Sequence, residues 1–218
     1  MGRQFAISDI HGCSATFRKL VIEILRFTHE DTLFLLGDYV NKGPDSKGVL
    51  DFIFELLNSG HHVFCLKGNH EAYLLDALRD SDKESYFLAR GGTATLQSFG
   101  VSKVAEIPVE YLNFMESLPL YFQLDKYFLV HAGFDFELPD PFNDEPSILN
   151  IRQFEVDWSQ TAGRSIIHGH VPTTMETISR IGKCKSEPYF HRCGMCLHSY
   201  PLHESFSCAG PGYPTTIF

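Results

Sequence analysis

Residues 4–8, 31–36 and 62–66 are three short apolar runs, separated by two segments whose apolar residues recur at helical spacing. Phe17, Leu20, Val21, Ile24 and Leu25 form one such face; Val49, Leu50, Phe52, Ile53, Leu56 and Leu57 form the other. Strand, helix, strand, helix, strand within so short a stretch predicts a right-handed βαβαβ unit with a parallel sheet. Ser14 is expected to cap a first helix over residues 14–27, and Ser46 the second, which Asn58-Ser59-Gly60 stops. Each strand runs into a polar cluster: Asp9-Ile10-His11-Gly12, then Gly37-Asp38, then Gly68-Asn69-His70-Glu71. One aspartate after a strand is more often a turn or capping residue. Its repetition at strand carboxyl ends, where open α/β sheets bind ligands, points to a site.

Residues 72–115 read as mostly helical, with Tyr73, Leu74, Leu75 and Leu78 on one face and Gly91-Gly92 as a break before residues 93–99. Residues 120–124 and 127–130 are expected strands around the Asp125-Lys126 turn, the second ending at His131-Ala132-Gly133. A loop rich in Pro, Asp and Phe follows over residues 134–146; residues 148–158 carry Arg152, and a last strand at 165–167 ends at His168-Gly169-His170.

The chain carries a formal charge of −9, with a pI near 5.6. This balance argues against nucleic acid or anionic membrane as a partner, since either needs a basic footprint. No apolar stretch reaches the roughly 20 residues that span a bilayer. Nothing after Arg3 resembles the apolar part of a secretory signal, and Ala6 stands where a myristoylated Gly2 would want Ser or Thr. The expected address is cytoplasmic, with the six cysteines reduced.

Five strand ends presenting Asp, Asn or His predict a metal centre of nitrogen and oxygen donors without thiolate, suited to manganese first, or to iron, zinc or magnesium. Over residues 5–172 these motifs together resemble the phosphoprotein phosphatase branch of the calcineurin-like metallophosphoesterases, especially its small bacterial and phage members. The resemblance implies a four-layer α/β/β/α sandwich with a helical insert at 72–117. It implies two divalent metal ions: Asp9 and His11 on the first, Asp38 bridging, and Asn69, His131 and His170 on the second. Such a pair acidifies a shared water toward a pKa of about 7 for attack on phosphorus. His70, next to a ligand, is then the expected general acid and Arg152 the phosphate-binding arginine. His168 is read as a packed histidine and not a ligand. The implied function is hydrolysis of phosphate monoesters, on serine/threonine phosphoproteins or small phosphate esters. Symmetrical cleavage of dinucleoside polyphosphates is the alternative, and a catalytically weak metal-bound scaffold a third reading.

Two departures stand out. The family usually has Asp-Arg where this chain has Asn41-Lys42, so Asn41 is expected to accept a hydrogen bond from His70 without adding charge. Lys42 keeps the positive charge without the bidentate fork. Slower turnover of alkyl phosphates follows. Secondly, residues 183–218, beyond a catalytic domain at 1–182, lack a strand period and hold four of the six cysteines. They are read as an aberrant, out-of-frame tail in preference to a zinc knuckle on Cys193-x-x-Cys196.

Overall fold

The computed structural model describes residues 2–172 and the backbone of residues 199–200. The first 65 residues form β1 (Gln4–Ile7), α1 (Ser14–Lys19), β2 (Thr32–Leu35), α2 (Ser46–Asn58) and β3 (His62–Cys65). Strands β1, β2 and β3 are parallel neighbours, and the pairs Ile7 with Leu35 and Leu35 with Cys65 bring all three carboxyl ends to one level. Antiparallel to β1 lies the two-residue β7 (Ser199–Tyr200), within the stretch that lacks a strand period. The rest of the tail, including Cys193 and Cys196, lies outside the described residues.

Strands β1, β2 and β3 are apolar on both faces because both are covered. Phe5, Ile7, Leu33, Leu35, Val63 and Cys65 face a helical layer, packing with Phe17, Leu50, Phe52, Ile53, Leu74, Phe87, Leu96 and Met115. Ala6, Phe34, Leu36 and Leu66 face the other way, against Phe122 and Leu129 of the second sheet. That sheet is built from β4 (Tyr121–Gln123), β5 (Tyr127–Val130) and β6 (Ser165–Ile167), with β5 central, antiparallel to β4 and parallel to β6. Its outer face, Phe128, Val130 and Ile166, is closed by Phe134, Phe136, Phe142 and Phe154 together with Ile148 of α7 (Glu145–Asn150). The order of layers is helices, sheet, sheet, then one short helix with a phenylalanine-rich loop. The aromatic residues of the 134–146 loop stand in for much of the fourth layer, since a cluster of stacked and edge-on rings buries as much apolar surface as a short helix face.

Between the sheets in sequence runs a helical stretch: α3 (Asn69–Arg79), α4 (Glu84–Phe87), α5 (Thr93–Phe99) and α6 (Val109–Ser117). A wide turn over Leu88–Gly92 joins α4 to α5, and Gly91 within it has φ 93°. Three local expectations need correction. Asp45, not Ser46, caps α2 by accepting from the Gly48 N–H at 2.9 Å; Ser46 is fully buried and its hydroxyl accepts from Asn41 N–H instead. Ser14 makes no capping bond and donates to the Asp45 carboxylate. The first helix ends early: after α1 the chain widens into a turn over Leu20–Ile24, and Arg26 has φ 48°.

The helical layer depends on aromatic packing between α1 and α2. Phe52 is 1 % exposed, meets Phe17 edge-on at 5.2 Å between centroids, and lies beneath the Arg18 guanidinium at 4.1 Å. Phe52→Ala should lower stability by about 3–5 kcal/mol. Ile22→Ala, at a site 52 % exposed, should cost under about 0.5 kcal/mol. Urea denaturation checks both, and similar midpoints for the two variants would contradict this packing.

Candidate metal centre

The strand ends meet because the loops beyond them keep pairing. Asp9 N–H donates to the Gly37 carbonyl at 3.2 Å, His11 N–H to Asp38 and Gly12 N–H to Tyr39, both at 2.8 Å. On the second sheet, Gly169 N–H donates to the His131 carbonyl at 2.8 Å. Among the described residues, eight other than glycine have positive φ, and six are Asp9, His11, Asp38, Asn41, Lys42 and His170. L-residues enter that region at a cost of roughly 1–2 kcal/mol each, and such residues gather where surrounding bonds over-determine them. Gly37 has φ 94°, and a β-carbon there would come within 2.5 Å of the Gly68 nitrogen. Only glycine allows that approach of two strand ends.

Asp38 is 2 % exposed and central. Its Oδ2 lies 3.3 Å from His11 Nε2 and 4.0 Å from His70 Nε2; its Oδ1 lies 3.5 Å from His131 Nε2. Two groups of ligand atoms, each within 4.8 Å of one another, therefore share it: His11, Asp38 and His70, and Asp38, His131 and His170. Asn69 joins the second through Oδ1, 3.1 Å from His131 Nε2. Asp9 lies against the same side, its Oδ2 accepting from the His170 N–H at 3.0 Å and the Ser8 hydroxyl at 2.6 Å.

The donor set fits divalent cations. His11 and His131 each direct Nδ1 at a main-chain carbonyl, of Val40 at 3.0 Å and Leu36 at 2.8 Å, which leaves Nε2 to present a lone pair. His131 Nε2 and His170 Nδ1 face each other at 3.2 Å, beside two further acceptor oxygens. A divalent cation would satisfy lone pairs so converged. Asp9 Oδ1 is buried with no hydrogen-bond partner. Lys42 Nζ stands 2.8 Å from His11 Nε2, an ammonium where the donor calls for positive charge. Burial, then the charge of Lys42, pushes the His11 imidazole down to about 4, so it stays neutral and able to ligate. Burial opposes ionisation of Asp9, but His131 and the bonds from Ser8 and His170 outweigh it and hold the carboxyl below its usual value.

The sequence expectation for Asn41 is corrected. Its Oδ1 accepts from the Thr95 hydroxyl at 2.8 Å, so the amide nitrogen, not the oxygen, faces His70 Nδ1 at 2.9 Å. Asn41 donates, and the His70 proton is left on Nε2, toward Asp38 and the cavity. The His70 imidazole is pushed down to about 2 by burial, reinforced by His11 and Lys42. His168 packs its ring against Phe154 at 5.3 Å and takes no place in either ligand group. Lys42, Asn69, His70, Arg152 and His170 line one cavity of about 600 Å³ with Asp38.

Several contributors were not singled out by sequence reasoning. Glu71, fully buried, accepts four main-chain N–H bonds: from Asp38 and Gly68 on Oε2 at 2.8 and 2.9 Å, and from Tyr39 and Val40 on Oε1 at 2.8 and 3.2 Å. Burial, then the charge of Asp38, raises its carboxyl to about 7, against the pull of those bonds. A Gly-x-x-Glu spacing ahead of a helical run is the one signal that could have marked it, because Glu at the third helical position reaches back to the cap. Asn69, His70 and Glu71 accordingly form the first turn of α3, not a loop. Tyr73 accepts from Asn69 Nδ2 at 2.9 Å and donates to Asn150 at 2.7 Å, which turns Asn69 Oδ1 inward. Thr95 is 54 residues from Asn41 and had no local signal.

Glu71→Gln sets an NH₂ group against main-chain N–H donors. It should lower stability by about 1–3 kcal/mol and shrink the rise in melting temperature that Mn²⁺ produces. Thermal melts with and without the ion check this; wild-type values for both quantities would contradict the role given to the carboxylate.

The model of the Metallophos family, calcineurin-like phosphoesterase, matches residues 3–198. Curated relatives include symmetrical bis(5'-nucleosyl)-tetraphosphatases of Nitrosomonas europaea, 32% identical over 77% of this chain and 58% of the relative, and Nitrosospira multiformis, 33% identical over 59% and 42%. The chain thus spans about half the length of the curated relatives it matches. A candidate diadenosine tetraphosphatase shares the fold at TM-score 0.61, with 22% identity over 92% of this chain and 93% of that one. A serine/threonine phosphatase of Saccharomyces cerevisiae does so at 0.57, with 17% identity over 79% and 62%. Among the described residues no helix is long and apolar enough to cross a membrane. With the family model covering most of its length, the chain belongs to the calcineurin-like phosphoesterases.

Proposed function

We propose that this chain is a metal-dependent hydrolase of dinucleoside polyphosphates that cleaves a symmetrical tetraphosphate into two nucleoside diphosphates. The reading draws on the tetraphosphatase relatives, and one observation of the site carries it: Asn41 donates to His70 Nδ1 where a carboxylate would accept. An alkyl ester needs an acid strong enough to protonate a departing alkoxide, and an aspartate partner would support an imidazolium there. A nucleoside diphosphate leaves as a phosphate, whose second pKa lies near 6. A neutral imidazole donating one hydrogen bond suffices. The phosphoprotein reading is not carried forward, because the solved protein phosphatases are 14 to 17% identical and share the fold alone.

Asp9, His11, Asp38, Asn69, His131 and His170 are assigned as ligands of two divalent cations, with manganese the proposed metal. When bound, such cations polarise phosphoryl oxygens and lower the pKa of a coordinated water. Asp38 serves both groups through separate oxygens, and Asn69, as a neutral amide, contributes a donor without adding negative charge. His70 holds its proton on Nε2, the nitrogen facing the cavity, for the departing oxygen. Lys42 and Arg152 offer their cations to the non-bridging oxygens, where charge is held through the reaction. Arg152 makes no hydrogen bond or ion pair among the described residues, so its guanidinium is available to a phosphate. We place these functions in residues 1–182, with 72–117 as an insert that covers the first sheet.

The test is a metal-supplemented assay on a dinucleoside tetraphosphate, an aryl phosphate and a phosphopeptide. The tetraphosphate should have the highest kcat/KM; preference for the phosphopeptide would overturn the reading, and turnover of none with metal bound would favour the scaffold. Asn41→Asp should raise alkyl relative to aryl phosphate turnover by about 100-fold, the lower end of what general acid catalysis supplies. An unchanged ratio would remove Asn41 from the account of selectivity.

A further inference from the structure

Resting on the tetraphosphatase reading, we propose that Arg90 forms a second phosphate subsite, which holds the part of the polyphosphate chain beyond the scissile phosphorus. Arg90 lines the same cavity as Lys42, Arg152 and the candidate ligands. Its guanidinium lies 3.5 Å from the centroid of the Tyr86 ring and 5.3 Å from that of Tyr73. The two rings meet edge-on at 5.0 Å and form a corner that seats the cation. No hydrogen bond or ion pair uses Arg90 among the described residues, so the stacked plane keeps its N–H fork for a ligand. A guanidinium stacked on aromatic rings loses less freedom on binding than one free in solvent, and its fork matches two phosphate oxygens.

The position is built, not incidental. Arg90 has φ −96° and ψ 18° at a break in the helical stretch, beside the left-handed Gly91. The Gly91 carbonyl accepts from Lys42 N–H at 3.2 Å, and a β-carbon on Gly91 would fall 2.6 Å from the Lys42 nitrogen. The turn bearing Arg90 is thereby pinned to the loop that bears Asn41 and Lys42. Tyr73 closes the circuit, since its hydroxyl accepts from Asn69 Nδ2. Three cations around one cavity, in a chain of net charge −9, concentrate positive potential at a single mouth. Lys42 and Arg152 suffice for one phosphate. A third cation, seated on an aromatic corner, suits an anion that extends past the reacting group.

Two measurements on Arg90→Gln decide the matter, with Mn²⁺ held constant. For the tetraphosphate relative to an aryl phosphate, kcat/KM should fall about tenfold, the worth of one charged hydrogen bond near 1.4 kcal/mol, through a higher KM. In aryl phosphate hydrolysis, tripolyphosphate should inhibit the variant about tenfold less than wild type, while the inhibition constant of orthophosphate changes less than twofold. Equal loss on both substrates, or tripolyphosphate inhibition as strong as in wild type, would overturn the subsite. Should wild type fail to cleave the tetraphosphate, the functional reading falls, and the inhibition ratio still judges Arg90 by itself.

Discussion

The centre depends on a carboxylate that touches no candidate ligand side chain in a catalytic sense. Glu71 gathers four main-chain N–H groups from two strand-end loops onto two oxygens, with no exposure to solvent. A buried charge is tolerated only when its lone pairs are fully used, and here each is aimed at an amide that the bent backbone leaves without a ladder partner. The arrangement is reciprocal: the amides stabilise the carboxylate, and the carboxylate holds the loop at Asp38, Tyr39 and Val40, with Asp38 at a φ of 58° that L-residues avoid. Asp38 can then project one oxygen toward each histidine group.

Around that anchor, the candidate ligand histidines are oriented from behind. Main-chain carbonyls take the Nδ1 protons of His11 and His131, and the Tyr73–Asn150 pair takes the amide protons of Asn69. The set that faces inward is therefore rich in acceptors, and a divalent cation would satisfy it. The orphaned Asp9 Oδ1 and the close imidazole pair express one deficit, of positive charge. The ammonium of Lys42 meets part of it.

The cavity wall comes in part from a different layer. The helical stretch after β3 contributes Thr95 to the Asn41–His70 pair, and Tyr73, Tyr86 and Arg90 to the cavity wall. Its contact with the loop that bears Asn41 and Lys42 runs through Gly91 and Lys42, so a turn of the helical stretch is tied to the strand-end loops of the first sheet. This separation of a rigid floor from a variable wall is what allows one scaffold to serve different phosphate substrates.

The floor was legible in the chain itself. Apolar runs of strand length alternating with helical periods place Asp9, Asp38, Asn69, His131 and His170 at the carboxyl ends of strands, because residues that alternate or recur at 3.6 turn their apolar side to a common core. Their assignment to one centre of two metal ions came from the resemblance. The wall was not legible, since Thr95 and Arg90 meet the centre only through contacts across some 50 residues, and a sequence carries no sign of which long-range pair will close. Caps failed for a related reason: Ser46 has every local qualification to cap α2, yet the Asn41 N–H and Thr95 compete for its hydroxyl once the loop is folded above it. Likewise the direction of the Asn41 amide is set by a single threonine hydroxyl. Local pattern thus determined which residues would stand together, whereas only the packed structure decided which atom of each would face which, because hydrogen-bond competition is resolved among neighbours that the chain brings together last.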